Sequence, residues 1–260
     1  MSTSSFARRL GTALISMGFD PRKSWAALRA VPRYVTDGWR IREQLRNSGN
    51  RLAVRFVPTL SDVYASSGTA KGHYFHQDLW AARRIFQRNP KRHVDVGSRI
   101  DGFIAHLLCF RAVEVLDIRH LDSRVAGLTF RQVDMMNPPG EMMACADSVS
   151  CLHALEHFGL GRYGDPVDVD GWLKGLAALS SLLKPGGALY LSVPVGLPCI
   201  EFNAQRIFAP QEIIDAALVH GLRLQEFSYV DDHGMFHENS RFLDAAALDF
   251  GCGCYVFCKS

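Results

Sequence analysis

The sequence predicts an α/β domain, doubly wound around a mostly parallel seven-stranded sheet, with a helical extension ahead of it. Three observations carry that prediction. From residue 93 onward, short β-branched runs alternate with longer helical stretches, which implies βαβ crossovers with helices on both sheet faces. A glycine turn follows the first run. Acidic or histidine side chains then close several of the runs, at the strand ends where open α/β sheets take ligands.

A chain of 260 residues, 48% hydrophobic and 21% charged, can bury a real core as one large domain with an extension. No apolar run approaches the ~18–20 residues that span a bilayer. The stretch 10–19 follows Arg8 and Arg9 like the start of a secretory leader, but it is short and interrupted. It runs into Asp20-Pro21-Arg22-Lys23 instead of a small-residue cleavage site, so export is not expected. The 7 cysteines form no even framework, which points to a reducing compartment and a cytoplasmic protein.

The elements follow in order. Residues 1–50 form a basic helical extension, with Trp25, Leu28, Val31 and Tyr34 at helical spacing among Arg29, Arg33 and Arg40. Pro32 predicts a break, and Asn47-Ser48-Gly49-Asn50 a loop. The net charge is +7 over residues 1–51 and −4 over the rest, so the basic excess belongs to this arm. It suits peripheral contact with an anionic membrane surface or a partner. No basic run interleaved with aromatics continues beyond it, so nucleic acid is not an expected partner. Residues 51–90 are a lead-in segment and a helix over 74–86, whose stripe is Leu79, Ala82, Ile85 and Phe86 and whose Tyr74, His76 and Gln77 suit a cover over the site. Residues 91–260 are the α/β domain, with strands over 93–96, 113–118, 128–133, 148–152, 188–193, 222–230 and 255–259. Helices fall at 103–110, 171–183 and 210–220. Lys184-Pro185-Gly186-Gly187 reads as a helix C-cap. Cys252, Cys254 and Cys258 share one strand face, where they cannot close a tetrahedral metal site without a ligand from elsewhere.

The strand ends carry the chemistry. Asp95-Val96-Gly97-Ser98-Arg99-Ile100-Asp101-Gly102 opens a tight turn that brings backbone N–H groups towards a ligand. Asp117 closes the second strand, where a carboxylate accepts from the hydroxyls of a ribose. Asp134 follows the third strand and can accept from an adenine amine, with Met135 and Met136 offering soft apolar surface. His153-Ala154-Leu155-Glu156-His157 follows the fourth. Glu156, His157 and His153 are candidates for a general base; the alternative for Glu156 and His157 is that they cap the following turn. Asn203 and Arg206, after the fifth strand, suit a polar or anionic substrate. Asp231-Asp232-His233 with His237-Glu238 reads as a base dyad, a divalent-metal set or a solvated loop; His233 is the catalytic candidate there, and no metal is assigned.

This order of segments resembles the class I S-adenosylmethionine-dependent methyltransferases over residues 93–260. Leu155-Glu156-His157 and Leu183-Lys184-Pro185-Gly186-Gly187 are its most specific parts. The stretches 94–107 and 155–166, with Val193-Pro194-Val195-Gly196, also resemble a narrower branch, the Caenorhabditis-type family of unknown function, which has bacterial members too. The resemblance implies a Rossmann-like methyltransferase fold with S-adenosylmethionine as cofactor. Asp95, Gly97, Ser98, Arg99, Asp117, Asp134, Met135 and His153 would bind it. The implied activity is methyl transfer to a small polar acceptor, such as a sugar or glycan-precursor hydroxyl. The sequence departs from the superfamily turn at Arg99 and Asp101, which stand where glycines are usual. That departure motivates the alternative, a methyltransferase-like protein without catalysis that acts through residues 1–50 on a membrane surface or partner.

Overall fold

The computed structural model of the protein describes residues 15, 17–49 and 51–260, which divide into two compact units, Met1–Thr69 and Ala70–Ser260. Arg8, Arg9, Asn50 and residues 10–14 and 16 of the apolar stretch lie outside the described residues. The expected boundary at residue 91 therefore shifts to residue 70, because the helix ahead of the first strand packs on the sheet. No helix among the described residues is long and apolar enough to cross a membrane.

The first unit is built on α1 (Pro21–Asn47). Asp20 caps it, its carboxylate accepting the N–H groups of Arg22 and Lys23 at 3.0 and 3.3 Å. The break expected at Pro32 does not occur. Proline removes one N–H from the ladder, and the turns on either side carry the helix past it. Trp25, Leu28, Val31, Val35 and Trp39 are exposed along α1. The segment after α1 folds back on it. The Phe56 ring meets Tyr34 edge-on, lies under the Arg42 guanidinium at 4.5 Å, and approaches the helix at Gly38, where a Cβ would collide with it.

The second unit runs α2 (His73–Arg88), β1 (His93–Val96), a π-helical turn (Ile100–Ile104), α3 (Ala105–Leu108), β2 (Val113–Asp117), β3 (Leu128–Gln132) and β4 (Ala146–Leu152). It continues with α4 (Gly171–Leu182), β5 (Leu183–Val195), the hairpin β6 (Cys199–Glu201) and β7 (Gln205–Ile207), α5 (Pro210–Val219), β8 (Leu222–Val230), β9 (Phe236–His237) and β10 (Gly251–Lys259). The main sheet has the order β3-β2-β1-β4-β5-β10-β8-β9. The first five strands are parallel, and β10 is antiparallel to both β5 and β8. The seven expected strands are all present, and two-residue β9 adds an eighth at the edge.

Two core layers cover the sheet. On one face Trp172, Leu176 and Leu179 of α4 and Ile213 and Ala217 of α5 pack on Val94, Val149, Leu191, Tyr255 and Phe257. On the other, Trp80, Ala81 and Ile85 of α2 with Phe103 and Leu107 pack on Val113, Val115, Tyr190, Cys252 and Cys254. Strand alternation explains the split, since Cys252 and Cys254 share a face opposite Tyr255 and Phe257. The buried stripe of α2 is rotated from the expected one. Trp80 and Ala81 point inward, while Phe86 is exposed against Phe110.

Two local readings are corrected. The helix expected at 103 starts three residues earlier as the π-helical turn, closed by Ile104 N–H to the Arg99 carbonyl at 3.2 Å. Lys184-Pro185-Gly186-Gly187 is not a helix cap, because α4 ends at Leu182. These residues bulge from the start of β5, where the β4 pairing jumps between Ala146 and Ser148, and Gly186 takes φ +76.

Candidate functional site

The chain order reverses between β1 and β4, and at the carboxyl ends there lies a pocket of about 480 Å³. Its size is that of a nucleoside or drug-sized ligand. Its walls include Gly97, Arg99, Asp117, Asp134, Met135, His153, Glu156 and His157, so the sheet converges most of the strand-end residues singled out by the sequence.

The floor is built from β1. Gly97 takes φ +70, its N–H donates to the Leu116 carbonyl at 2.9 Å, and a Cβ there would sit 2.8 Å from that of Ala154. Only glycine turns here without strain. Asp95 and Ser98, expected to touch a cofactor, lie beneath the pocket instead. Asp95 is fully buried and accepts from the Ser98 N–H at 3.1 Å, the Ser98 hydroxyl at 2.6 Å and the Ser150 hydroxyl at 2.5 Å. Ser98 Oγ in turn accepts from the Leu152 N–H at 3.0 Å. Both side chains are spent on tying the turn to β4. Burial outweighs those donors and pushes the Asp95 carboxyl up to about 7. Ser150 also joins Asp95 to His93, whose Nε2 is 3.1 Å from the Ser150 hydroxyl and whose Nδ1 is 2.6 Å from that of Ser148.

Arg99 stands at the rim. Its guanidinium pairs with Asp101 at 3.1 and 3.2 Å and lies 4.8 Å over the Tyr74 ring. Asp117 is latched. Arg119 grips it with Nε at 3.0 Å and Nη2 at 2.6 Å, and the Arg119 guanidinium stacks on Tyr163. Asp134 accepts the Met136 N–H at 2.9 Å, an Asx turn that sets the buried Met135 into the wall.

The fourth strand end is the most polar part. His153 is held at φ +50, and Leu155–His157 makes one 3₁₀ turn. The Nδ1 of His153 is 2.6 Å from Glu156 Oε1, and its Nε2 is 3.1 Å from Nδ1 of His73 at the start of α2. Glu156 is fully buried, and its Oε2 has no hydrogen-bond partner. His157 packs edge-on against Tyr163, its Nδ1 is also unpartnered, and burial holds its pKa below the ordinary histidine value.

Besides Asp95 and Ser98, three expected site residues lie outside the pocket lining. Arg206 is buried and donates to the carbonyls of Glu156, Phe158, Asp168 and Val169, so it clamps the loops of the wall. Asn203 is exposed at φ +61 in the β6–β7 turn. His233 is exposed in a loop organised by Asp231, which accepts the N–H groups of His233 and Met235 and pairs with His237 Nε2 at 2.8 Å. Asp232 meanwhile accepts from the backbone of Asp249 and Phe250, and Glu238 pairs with Arg84. Within this cluster the acids order the loop backbone, and the carboxylate–histidine pair that forms is Asp231 with His237, away from the pocket lining.

Sequence reasoning missed His73, Arg119, Arg162, Tyr163 and Phe250, all in the lining. Arg119, two residues past Asp117, was within reach of a local reading. His73 and Phe250 were not, since each comes from a distant segment.

Residues 105–246 match the family described as Caenorhabditis protein of unknown function, DUF268. No curated protein matches the chain. Among solved structures 747 chains match. A candidate sarcosine dimethylglycine methyltransferase from Galdieria sulphuraria is 14% identical, with a TM-score of 0.52 over 71% of this chain and 86% of that one. The 1,6-didemethyltoxoflavin-N1-methyltransferase of Burkholderia thailandensis, solved with its substrate and S-adenosylhomocysteine, is 14% identical at TM-score 0.50 over 71% and 78%. An S-adenosylmethionine-dependent methyltransferase from Clostridium acetobutylicum is 12% identical at TM-score 0.50 over 76% and 95%. At such identities the likeness establishes the fold, which is that of the class I methyltransferases.

Proposed function

We propose, for a chain that belongs to the Caenorhabditis-type family of unknown function, DUF268, and has the class I methyltransferase fold, that it transfers methyl groups from S-adenosylmethionine to a small polar acceptor. One observation carries this reading: a single nucleoside-sized pocket at the switch in strand order joins Gly97, Asp117, Asp134, Met135 and His153. The residues fit the cofactor. Asp117 would take the ribose hydroxyls, with the Arg119 latch giving way. Asp134 and Met135 would frame the adenine, and the Gly97 turn would admit the methionine part. When bound, the cofactor supplies a methyl group on a sulfonium.

What the protein adds is alignment and a place for one proton. Glu156 and His153 are committed to each other, so of the three expected bases at this strand end His157 is favoured. Burial keeps it neutral, and its Nδ1 is unengaged. Arg162 and Gln205 in the same lining support an acceptor rich in oxygen, such as a sugar hydroxyl. Calorimetry with S-adenosylmethionine and S-adenosylhomocysteine tests the reading. Binding with unit stoichiometry is expected, and no heat from folded protein at millimolar ligand would overturn it.

The basic first unit supports a second, separable property, peripheral contact with anionic membranes. The motivating feature is the exposed row Trp25, Leu28, Val35 and Trp39 on a helix that also carries Arg22, Arg29, Arg33 and Arg40. Co-sedimentation with anionic liposomes should fall in a Trp25→Ser, Trp39→Ser double variant; pelleting equal to that of the parent chain would count against it.

A further inference from the structure

On its strand, Cys252 closes no metal site without ligands from elsewhere. The fold brings two. His73 opens α2, His153 follows β4 and Cys252 is the second residue of β10, and their Nδ1 or Nε2 and Sγ atoms all lie within 4.8 Å of one another. We propose that His73, His153 and Cys252 form a three-ligand site for a divalent cation of the zinc class, with an open coordination position facing the pocket.

Geometry supports it first. His73 Nδ1 and His153 Nε2 are 3.1 Å apart. Zinc–nitrogen bonds of ~2.0–2.1 Å in a tetrahedron place two nitrogens about 3.3 Å apart, so the pair has only tenths of an ångström to open. Two imidazoles and a thiol suit zinc or cobalt(II) and disfavour magnesium or calcium, which take oxygen. His73 and His153 line the pocket while Cys252 lies behind them in the core, which leaves the fourth position on the pocket side.

The surroundings are those of a ligated histidine. His153 presents Nε2 to the cluster while Nδ1 is fixed by Glu156 at 2.6 Å, the carboxylate–histidine arrangement that sets ring orientation and strengthens a ligand. Glu156 has no Lys or Arg partner among the described ion pairs, and its Oε2 is buried and unpartnered. A buried carboxylate of this kind is costly without a nearby positive charge, and a cation one side chain away offsets it. His73 hydrogen-bonds the backbone of Phe250, while its Nδ1 is turned towards His153 and the cluster. His153 holds φ +50, a strained position for a non-glycine residue that tends to mark functional sites.

The site shares the pocket through His73 and His153, but its test needs neither cofactor nor activity. The full chain is stripped of metal and titrated with Zn²⁺ against a chromophoric chelator, then with Co²⁺ in an absorbance cell. One equivalent should bind, and cobalt should give thiolate-to-metal charge-transfer absorption. His73→Ala, at the first turn of α2, should weaken binding at least about tenfold with its circular dichroism unchanged, and Glu156→Gln roughly tenfold to a hundredfold. Cys252→Ser should abolish the charge-transfer band. Failure of the folded parent chain to bind Zn²⁺ at equimolar micromolar concentrations would overturn the proposal. So would binding undiminished in His73→Ala, or a cobalt band that persists in Cys252→Ser.

Discussion

At the scale of single residues, the site separates side chains that face a ligand from those that hold the facing ones in place. Asp117 and Asp95 illustrate the division. Both are acids at the ends of adjacent strands. Asp117 lines the pocket and is held by a half-exposed arginine, a partner that a ligand entering the pocket competes with. Asp95 is sealed under the turn with every donor internal. Asp117→Ala should therefore weaken S-adenosylhomocysteine binding by about 1.5–3 kcal/mol, the range for hydrogen bonds to a charged group, and leave the melting temperature nearly unchanged. An unaltered dissociation constant would remove Asp117 from the site. Arg99, the residue whose place in the glycine motif raised doubt about binding, pairs with Asp101 at the rim, and the pocket stays open beside it.

At the scale of elements, the irregular pieces shape the pocket. The π-helical turn puts Gly102 against Asp78 of α2, where a Cβ would lie 2.7 Å from the carboxylate. The 3₁₀ turn Leu155–His157 and the loops to α4 are held by Arg206, reaching across from β7. Arg206→Met keeps the length and apolar stem but leaves four carbonyls without their donor. The expected loss is about 3 kcal/mol in urea unfolding, together with weaker ligand binding because His157 and Phe158 sit on the released wall. A variant as stable as the parent chain would contradict the clamp. No local pattern marks Arg206 as structural. Its neighbours Glu201 and Gln205 are exposed or half-exposed, and only the fold carries its side chain inward.

At the scale of the whole molecule, stability couples to pH through a buried chain, Asp95–Ser150–His93–Ser148. His93 is held neutral, its pKa lowered to about 3 mainly by burial, so its contribution is full above about 6.5 and is lost as pH falls towards 3. The Asp95 carboxyl is raised to about 7, so its contribution is full below about 4 and is lost as pH rises through 7. The two slopes oppose each other between about pH 4 and 6.5, each up to about 1.4 kcal/mol per pH unit. His93→Gln should thus make stability fall with rising pH in that window, and Asp95→Asn should make it rise. Thermal melts from pH 4 to 7 that run parallel in both variants would refute the assignment. The fold itself was legible from the sequence at this scale. Strand runs, helix periods and strand-end acids depend on neighbours a few residues away, and so do Gly97, Asp117, Asp134 and His153. What the tertiary structure decided is which of these side chains see solvent and which distant ones join them. Asp95 and Ser98 went under the turn, Arg206 went into a clamp, and His233 stayed in an outer loop. His73 and Cys252 arrived beside His153 from opposite ends of the domain. Burial and long-range approach are properties of how the two core layers close on the sheet. No local run of residues encodes them.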